Sequence, residues 1–428
     1  MLLKHIKILF LFYLFLPVSG QETGDIYSNM INDPRIKTVQ CYKEGWNLSY
    51  PVIDLNGDEK LVFQFDLLGD RDETFSYTFV HCDKDWKKSD IFVNDYLEGF
   101  NDNPIEEVKA SFNTTVNYFH YSISFPNDRV QLRLSGNYVI TIFKPEDPEN
   151  PVIVHRFMIK ENRVKTDMTV HRPVLPDDRD KGQQIDFTVD LTGTGTIDPY
   201  RNIYCTLLQN GRWDNARTNL KPDIYGGNEL KFNSLSDKNV FTGGNEFRDF
   251  DIKSIKYIYQ NVRRIDFLPP QYHVFLSPSE SREFKPYFYW QDFNGKYFIA
   301  SQEGRDPATD ADYVNVYFTL QSEEMAAGGD IYVSGALSNW NFGKENRMLY
   351  NSDRRQYECT MLLKQGWYNY EYVFLRDGLS SDVSSKYEGS HYETENDYTA
   401  IVYYRNPRER YDRILGTGTI NTLNRIAY

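Results

Sequence analysis

Runs in which apolar and polar residues alternate recur along this chain, each cut off by glycine, proline, asparagine or aspartate. Leu61-Val62-Phe63-Gln64-Phe65-Asp66-Leu67 and Phe75-Ser76-Tyr77-Thr78-Phe79-Val80 are the first clear examples. A period of two puts one set of side chains on one face of a strand, a pattern that does not suit a helix. Tyr121–Phe125, Gln131–Leu134 and Gly136–Phe143 continue it, and Asn56-Gly57 supplies a turn that tolerates positive φ. Further strands are expected at Val152–Ile159, Ile185–Leu191, Ile203–Leu207, Leu230–Phe232 and Tyr272–Leu276. Asp312–Leu320, Asp330–Gly335, Arg355–Met361, Gly366–Phe374 and Tyr398–Tyr404 follow. No long segment carries a helical period with caps. The fold class is all-β: antiparallel immunoglobulin-like β-sandwiches in tandem.

Lys4 and Lys7 precede an apolar run, Ile8–Leu16, and small residues at Val18 and Gly20 come before Gln21. This is the form of a cleaved secretory signal peptide over residues 1–20, which places the rest outside the cytoplasm. The 428-residue chain is longer than a single hydrophobic core supports. The expected division is an N-terminal β-sandwich over 21–164, a middle β-rich domain over 165–305 and a C-terminal sandwich over 306–404. Pro173–Asp178 marks the cleaner break, whereas the prolines of 145–151 form either a linker or a loop inside the first domain. Residues 405–428 make a tail in which Arg405, Arg408, Arg410, Arg413 and Arg425 face only Glu409 and Asp412. It touches another partner or an anionic surface, or else packs back on its own domains or is poorly ordered.

A formal charge of −13 argues against nucleic acid, because no basic stripe is available to neutralise phosphates. The cysteines, Cys41, Cys82, Cys205 and Cys359, have neither zinc nor redox spacing. Cys41 and Cys82 share one expected domain and either pair or remain free; Cys205 and Cys359 read as buried thiols.

His81-Cys82-Asp83-Lys84-Asp85-Trp86 gathers reactive residue types, but neighbours on a strand point to opposite faces. It reads as a structural strand end, with Asp85 or Trp86 fixing the loop. Asp54–Glu59 resembles a calcium loop, but its glycine and glutamate are misplaced. No Gly-x-Ser-x-Gly, His-Glu-x-x-His or phosphate-cradling loop occurs. The expectation is a protein that is not an enzyme and uses no cofactor or metal.

Ser334–Asn341 and Gly366–Tyr372 resemble the early-set immunoglobulin-like modules attached to glycogen- and starch-acting enzymes. If this module shares their use of aromatics, Trp340 and Trp367 are the candidates for stacking on sugar rings. Pinning a loop to the sandwich is the other reading of Trp340.

Phe79–Trp86, Tyr96–Phe100, Leu134–Tyr138, Asp292–Tyr297, Gly335–Trp340 and Gly366–Tyr370 together resemble the plug proteins of the Bacteroidetes type IX secretion system. These stretches are spread over nearly the whole chain. The resemblance implies a periplasmic protein that seals the inner mouth of a very large outer-membrane barrel, the translocon for folded cargo. It needs no catalytic group. No motif of the family identifies contact residues. The loop carrying Tyr96, Phe100 and Asn101 is the candidate contact, with an ordinary strand connection as the other reading. A periplasmic carbohydrate-binding protein is the alternative function.

Overall fold

The computed structural model describes residues 27–233, 237–325, 328–376 and 385–424. The expected signal peptide and the last residues of the tail, Arg425 among them, lie outside these. Among the described residues, α-helix is confined to single turns such as Val93–Tyr96 and Ser385–Glu388, and the rest of the regular structure is almost all strand.

The first lobe is a sandwich of two sheets. One runs through Met30–Ile31, Ile153–Lys160, Gly136–Phe143, Ser76–Cys82 and Asn103–Pro104. The other is ordered Ile36–Lys43, Leu61–Leu68, Tyr118–Phe125 and Glu107–Ala110. Their inner faces bury Phe63, Phe65, Phe79, Tyr121, Tyr138 and Phe157 in one core. The proline-rich stretch before Ile153 is a hairpin loop, since the strands on either side of it pair antiparallel.

Every residue of Gly136–Phe143 is buried. Tyr138, Ile140 and Ile142 face the first core, while Val139 on the opposite face joins a second cluster with Cys82, Trp86, Val154 and Met158. That cluster also holds Leu208, Ile401, Tyr403 and Ile414, which belong to another lobe. A strand that is apolar on both faces is one sandwiched between two layers.

The second lobe pairs two sheets of distant origin. One contains Lys165–His171, Gly182–Asp190, Glu229–Phe232 and Ile224–Gly226. The other is ordered Arg217–Leu220, Ile203–Gln209, Asp397–Arg405 and Asp412–Asn421. The described residues of 248–388 are inserted between strands Val240–Thr242 and Asp397–Arg405 of this lobe and form a third lobe with its own core, in which Phe250, Val316, Phe318, Tyr368 and Tyr372 are buried. Its longest strand, Gly366–Arg376, pairs with Arg248–Asp251, Tyr297–Ile299 and Gly329–Ser334.

Strand pairing therefore cuts across the expected divisions at 305/306 and 404/405. Ile203–Gln209, expected in a middle domain, is bonded along its length to Asp397–Arg405, expected in the C-terminal one. The supposed tail supplies an interior-packed strand, Asp412–Asn421, and Arg405 and Arg413 pair with Asp412 and Glu409. Pro173–Asp178 joins two strands of one sheet and is not a break. The physical reason is that hydrogen-bond partners in a sheet are chosen by the whole fold, and an inserted lobe leaves no local mark where the chain departs and returns.

Candidate functional site

The six motif stretches do not gather into an exposed working face. Several build the joints between lobes. His81 is buried: its Nδ1 lies 2.8 Å from Ser89 Oγ and its Nε2 lies 3.1 Å from Ser135 O. Burial pushes its imidazole down to about 4, so it stays neutral at physiological pH. A Cβ at Gly136 would sit 2.4 Å from His81 Nε2, so glycine is required there. Asp83 accepts from the Asp85 and Lys87 amides, which turns the chain and places Trp86 at positive φ. Lys84 N then donates to Asp412 Oδ2, Asn219 donates to Asp85, and Trp86 meets Trp213 edge-on at 4.8 Å. The segment is a strand end, and it docks the first lobe on the second.

The third lobe is docked by a buried charge. Asp66 and Lys364 are each 1% exposed and 2.6 Å apart. Asp66 also accepts from Tyr313 OH at 2.7 Å, and His120 Nδ1 lies 2.7 Å from its other oxygen. Burial alone would raise the Asp66 carboxyl, but Lys364 and His120 outweigh it and hold the group below its ordinary value. Nearby, Tyr118 OH donates to Ala311 O, and Asp312 accepts the amides of Thr115 and Val116.

A cleft of about 460 Å³ opens where all three lobes meet, lined by Trp46, Tyr50, Trp213, Lys296 and Trp340 among others. Its aromatic faces are mostly taken by cations of the protein itself. The Arg156 guanidinium lies 4.4 Å from the Trp86 ring and 5.6 Å from Trp213. Arg212 covers Trp340 at 4.3 Å, and Lys296 sits 3.5 Å from the Tyr50 ring while donating to Leu48 O. Trp46, also in the lining, is 63% exposed.

The residues singled out in the sequence fall as follows. Trp340 is held by Arg212, by the edge of Phe247 and by a close approach to Gly295, where a Cβ would lie 2.4 Å from its ring. Trp367 donates to Asp249 Oδ2, lies beneath Lys253 and meets Phe293 edge-on. Each ring has its own packing role and the two form no joint platform, so sugar stacking gains no support. Tyr96 is 3% exposed, in the first core, with its hydroxyl donating to Phe79 O. It is not available as a contact, because the helical turn Val93–Tyr96 rotates it inward. Phe100 is 69% exposed, and Asn101 beside it accepts from Thr78 and donates to Asp102. All four cysteines are free. Burial pushes the Cys82 thiol up to about 12, which leaves it unreactive.

The buried joints, invisible as a site in the sequence, are what sequence reasoning missed. The signal was present in Gly136–Phe143, where polar residues are too few for a strand with one wet face.

A family model described as "Type 9 secretion system plug protein 1st domain" matches residues 36–161, the first lobe. The crystal structure of a hypothetical protein from Parabacteroides merdae ATCC 43184 superimposes with a TM-score of 0.88 at 34% identity, covering 92% of this chain and 99% of that one. No curated protein matches. With a relative this similar along the full three-lobed architecture and a family model on the lobe that anchors it, the chain belongs to the type 9 secretion system plug protein family.

Proposed function

We propose that this protein acts without catalysis as the plug of a type 9 secretion translocon, seated against the periplasmic mouth of its large outer-membrane barrel. The observation that carries this reading is the family membership, joined to an architecture in which each lobe is fastened to both others. A stopper must keep its shape under load, and buried joints supply that where flexible linkers would not. Among the described residues, no helix is long and apolar enough to cross a membrane, which suits a protein that docks on a barrel. The secretory leader expected at 1–20 supports a periplasmic location. The loop with Phe100 and Asn101 is the proposed contact, an exposed aromatic ringed by polar groups, as in interfaces that must also release.

The test is affinity purification of the tagged protein from native envelopes, together with gene deletion and an outer-membrane permeability assay. A very large barrel should co-purify, and deletion should admit bulky antibiotics in cells whose channel lacks its outer-face partners. Recovery of no barrel, with unchanged permeability, overturns the reading.

A further inference from the structure

The chain crosses twice between the second and third lobes, outward after strand Val240–Thr242 and back before strand Asp397–Arg405. Glu246 lies on the outward crossing and Glu395 on the return. Asp292 belongs to the third lobe, just ahead of the turn that leads into Tyr297–Ile299. The three carboxylates offer oxygens that all lie within 4.8 Å of one another. A cation that binds oxygen at about 2.3–2.6 Å bridges up to about 5 Å between any two of its ligands, so these separations suit one shared ion.

Close carboxylates alone are common. What distinguishes these is the unmet demand around them. Glu246 is 0% exposed; its Oε1 accepts from Tyr287 OH and the Glu395 amide, but its Oε2 has no partner. Asn294 is 7% exposed, and its amide nitrogen lies 3.3 Å from Glu395 Oε1, yet its Oδ1 is also unpartnered. A buried polar oxygen left without a partner is costly, and two beside one carboxylate group are rarely tolerated unless something binds them.

The neighbouring cations are committed elsewhere. Arg282 pairs with Glu388 and donates to the backbone oxygen of Glu246, its Nη1 being left without a partner, so its charge is shared and makes no bond to the Glu246 carboxylate. Lys296 is turned to Leu48 O and the Tyr50 ring. Burial accordingly pushes Glu246 up to about 7 and raises Asp292 and Glu395 as well.

We propose that Glu246, Asp292 and Glu395, with Asn294 Oδ1, form a divalent-cation site of the calcium class that clamps the inserted lobe to the second lobe. The donor set is oxygen throughout, without imidazole or thiolate, which selects a hard cation over zinc or copper. Carboxylates from both crossings and from the third lobe would share one ion, so its binding closes the joint at the point where the chain passes twice. This inference does not depend on the plug reading.

The experiment uses the purified full-length mature protein, stripped with EGTA and then titrated with calcium chloride. Thermal unfolding is followed alongside terbium luminescence, which Tyr287 is placed to sensitise through its hydrogen bond to Glu246. Calcium should raise the unfolding temperature saturably, by about 3 °C or more, and terbium should emit and be displaced by calcium. The variant Glu246→Gln should lose both responses while unfolding in EGTA no earlier than wild type, because it removes the charge at an oxygen that has no partner to lose. Should that variant not fold, Glu395→Gln alone should weaken terbium binding at least about tenfold. No response of the wild type to millimolar calcium would overturn the proposal and leave a cluster neutralised by protons. So would a response to magnesium alone, or one that survives in the variants.

Discussion

The first lobe meets its two neighbours by opposite means. Against the second lobe it presents Val139, Val154 and Met158 to Leu208, Ile401 and Tyr403, a mainly apolar contact between two sheet faces with the Lys84–Asp412 and Asp85–Asn219 hydrogen bonds at its margin. Against the third it presents Asp66 to Lys364 and Tyr313, a charge enclosed in protein. Apolar contact is non-directional, so the broad face of the first joint contributes stability while its few marginal hydrogen bonds set the angle. The charged joint costs desolvation and contributes little net free energy, but its geometry is satisfied in only one arrangement. A plug needs both: one lobe fused broadly, the other held in a defined pose.

Substitution should separate them. Lys364→Met strands Asp66 without its ammonium and should cost about 3–5 kcal/mol, read as a lower midpoint in urea. Adding Asp66→Asn to that variant should restore much of the loss. If the double variant is as unstable as the single one, the charged joint is not a matched pair.

Ile401→Ala leaves a cavity in the mainly apolar joint and should cost roughly 2–4 kcal/mol, with no second-site polar change able to restore it. A loss below about 0.5 kcal/mol would show that this contact is not a core.

Acid should distinguish the joints without mutation. The Asp66 carboxyl is held below its ordinary value, so the folded state binds fewer protons there than the unfolded chain. Its stabilisation is complete above the usual carboxylate range and is lost as pH falls through the lowered value. Limited proteolysis below about pH 4 should therefore open the joint between the first and third lobes before it separates the first two. Simultaneous cleavage at both joints would remove the distinction.

Phe100→Asp, on the exposed loop outside both joints, should change stability by less than about 0.5 kcal/mol. Recovery of the barrel should nevertheless fall. Unchanged recovery would move the contact to another face.

Much of the strand content was legible because alternation is local: Gly136–Phe143 emerges as read, and Gly366–Phe374 extends only to Arg376. Tyr96 was misplaced because a single helical turn, not strand alternation, sets its direction. Trp340 was ambiguous because the guanidinium that covers it, Arg212, is remote in the chain. The strand Ile36–Lys43 was passed over because its positive-φ residue, Thr38, and a register shift break the period.

From its residues alone this chain is committed to sheet and to burying aromatic cores, since side-chain alternation acts over a few residues. Which strands became neighbours was settled only in three dimensions. Asn210 and Asp397, 187 positions apart, bond to each other at 2.9 Å, and such a pairing repays its loop-closure entropy only when the lobes on either side are already packed. The interruption of the second lobe by the third, and the buried Asp66–Lys364 charge that holds the third in place, are consequences of that packing.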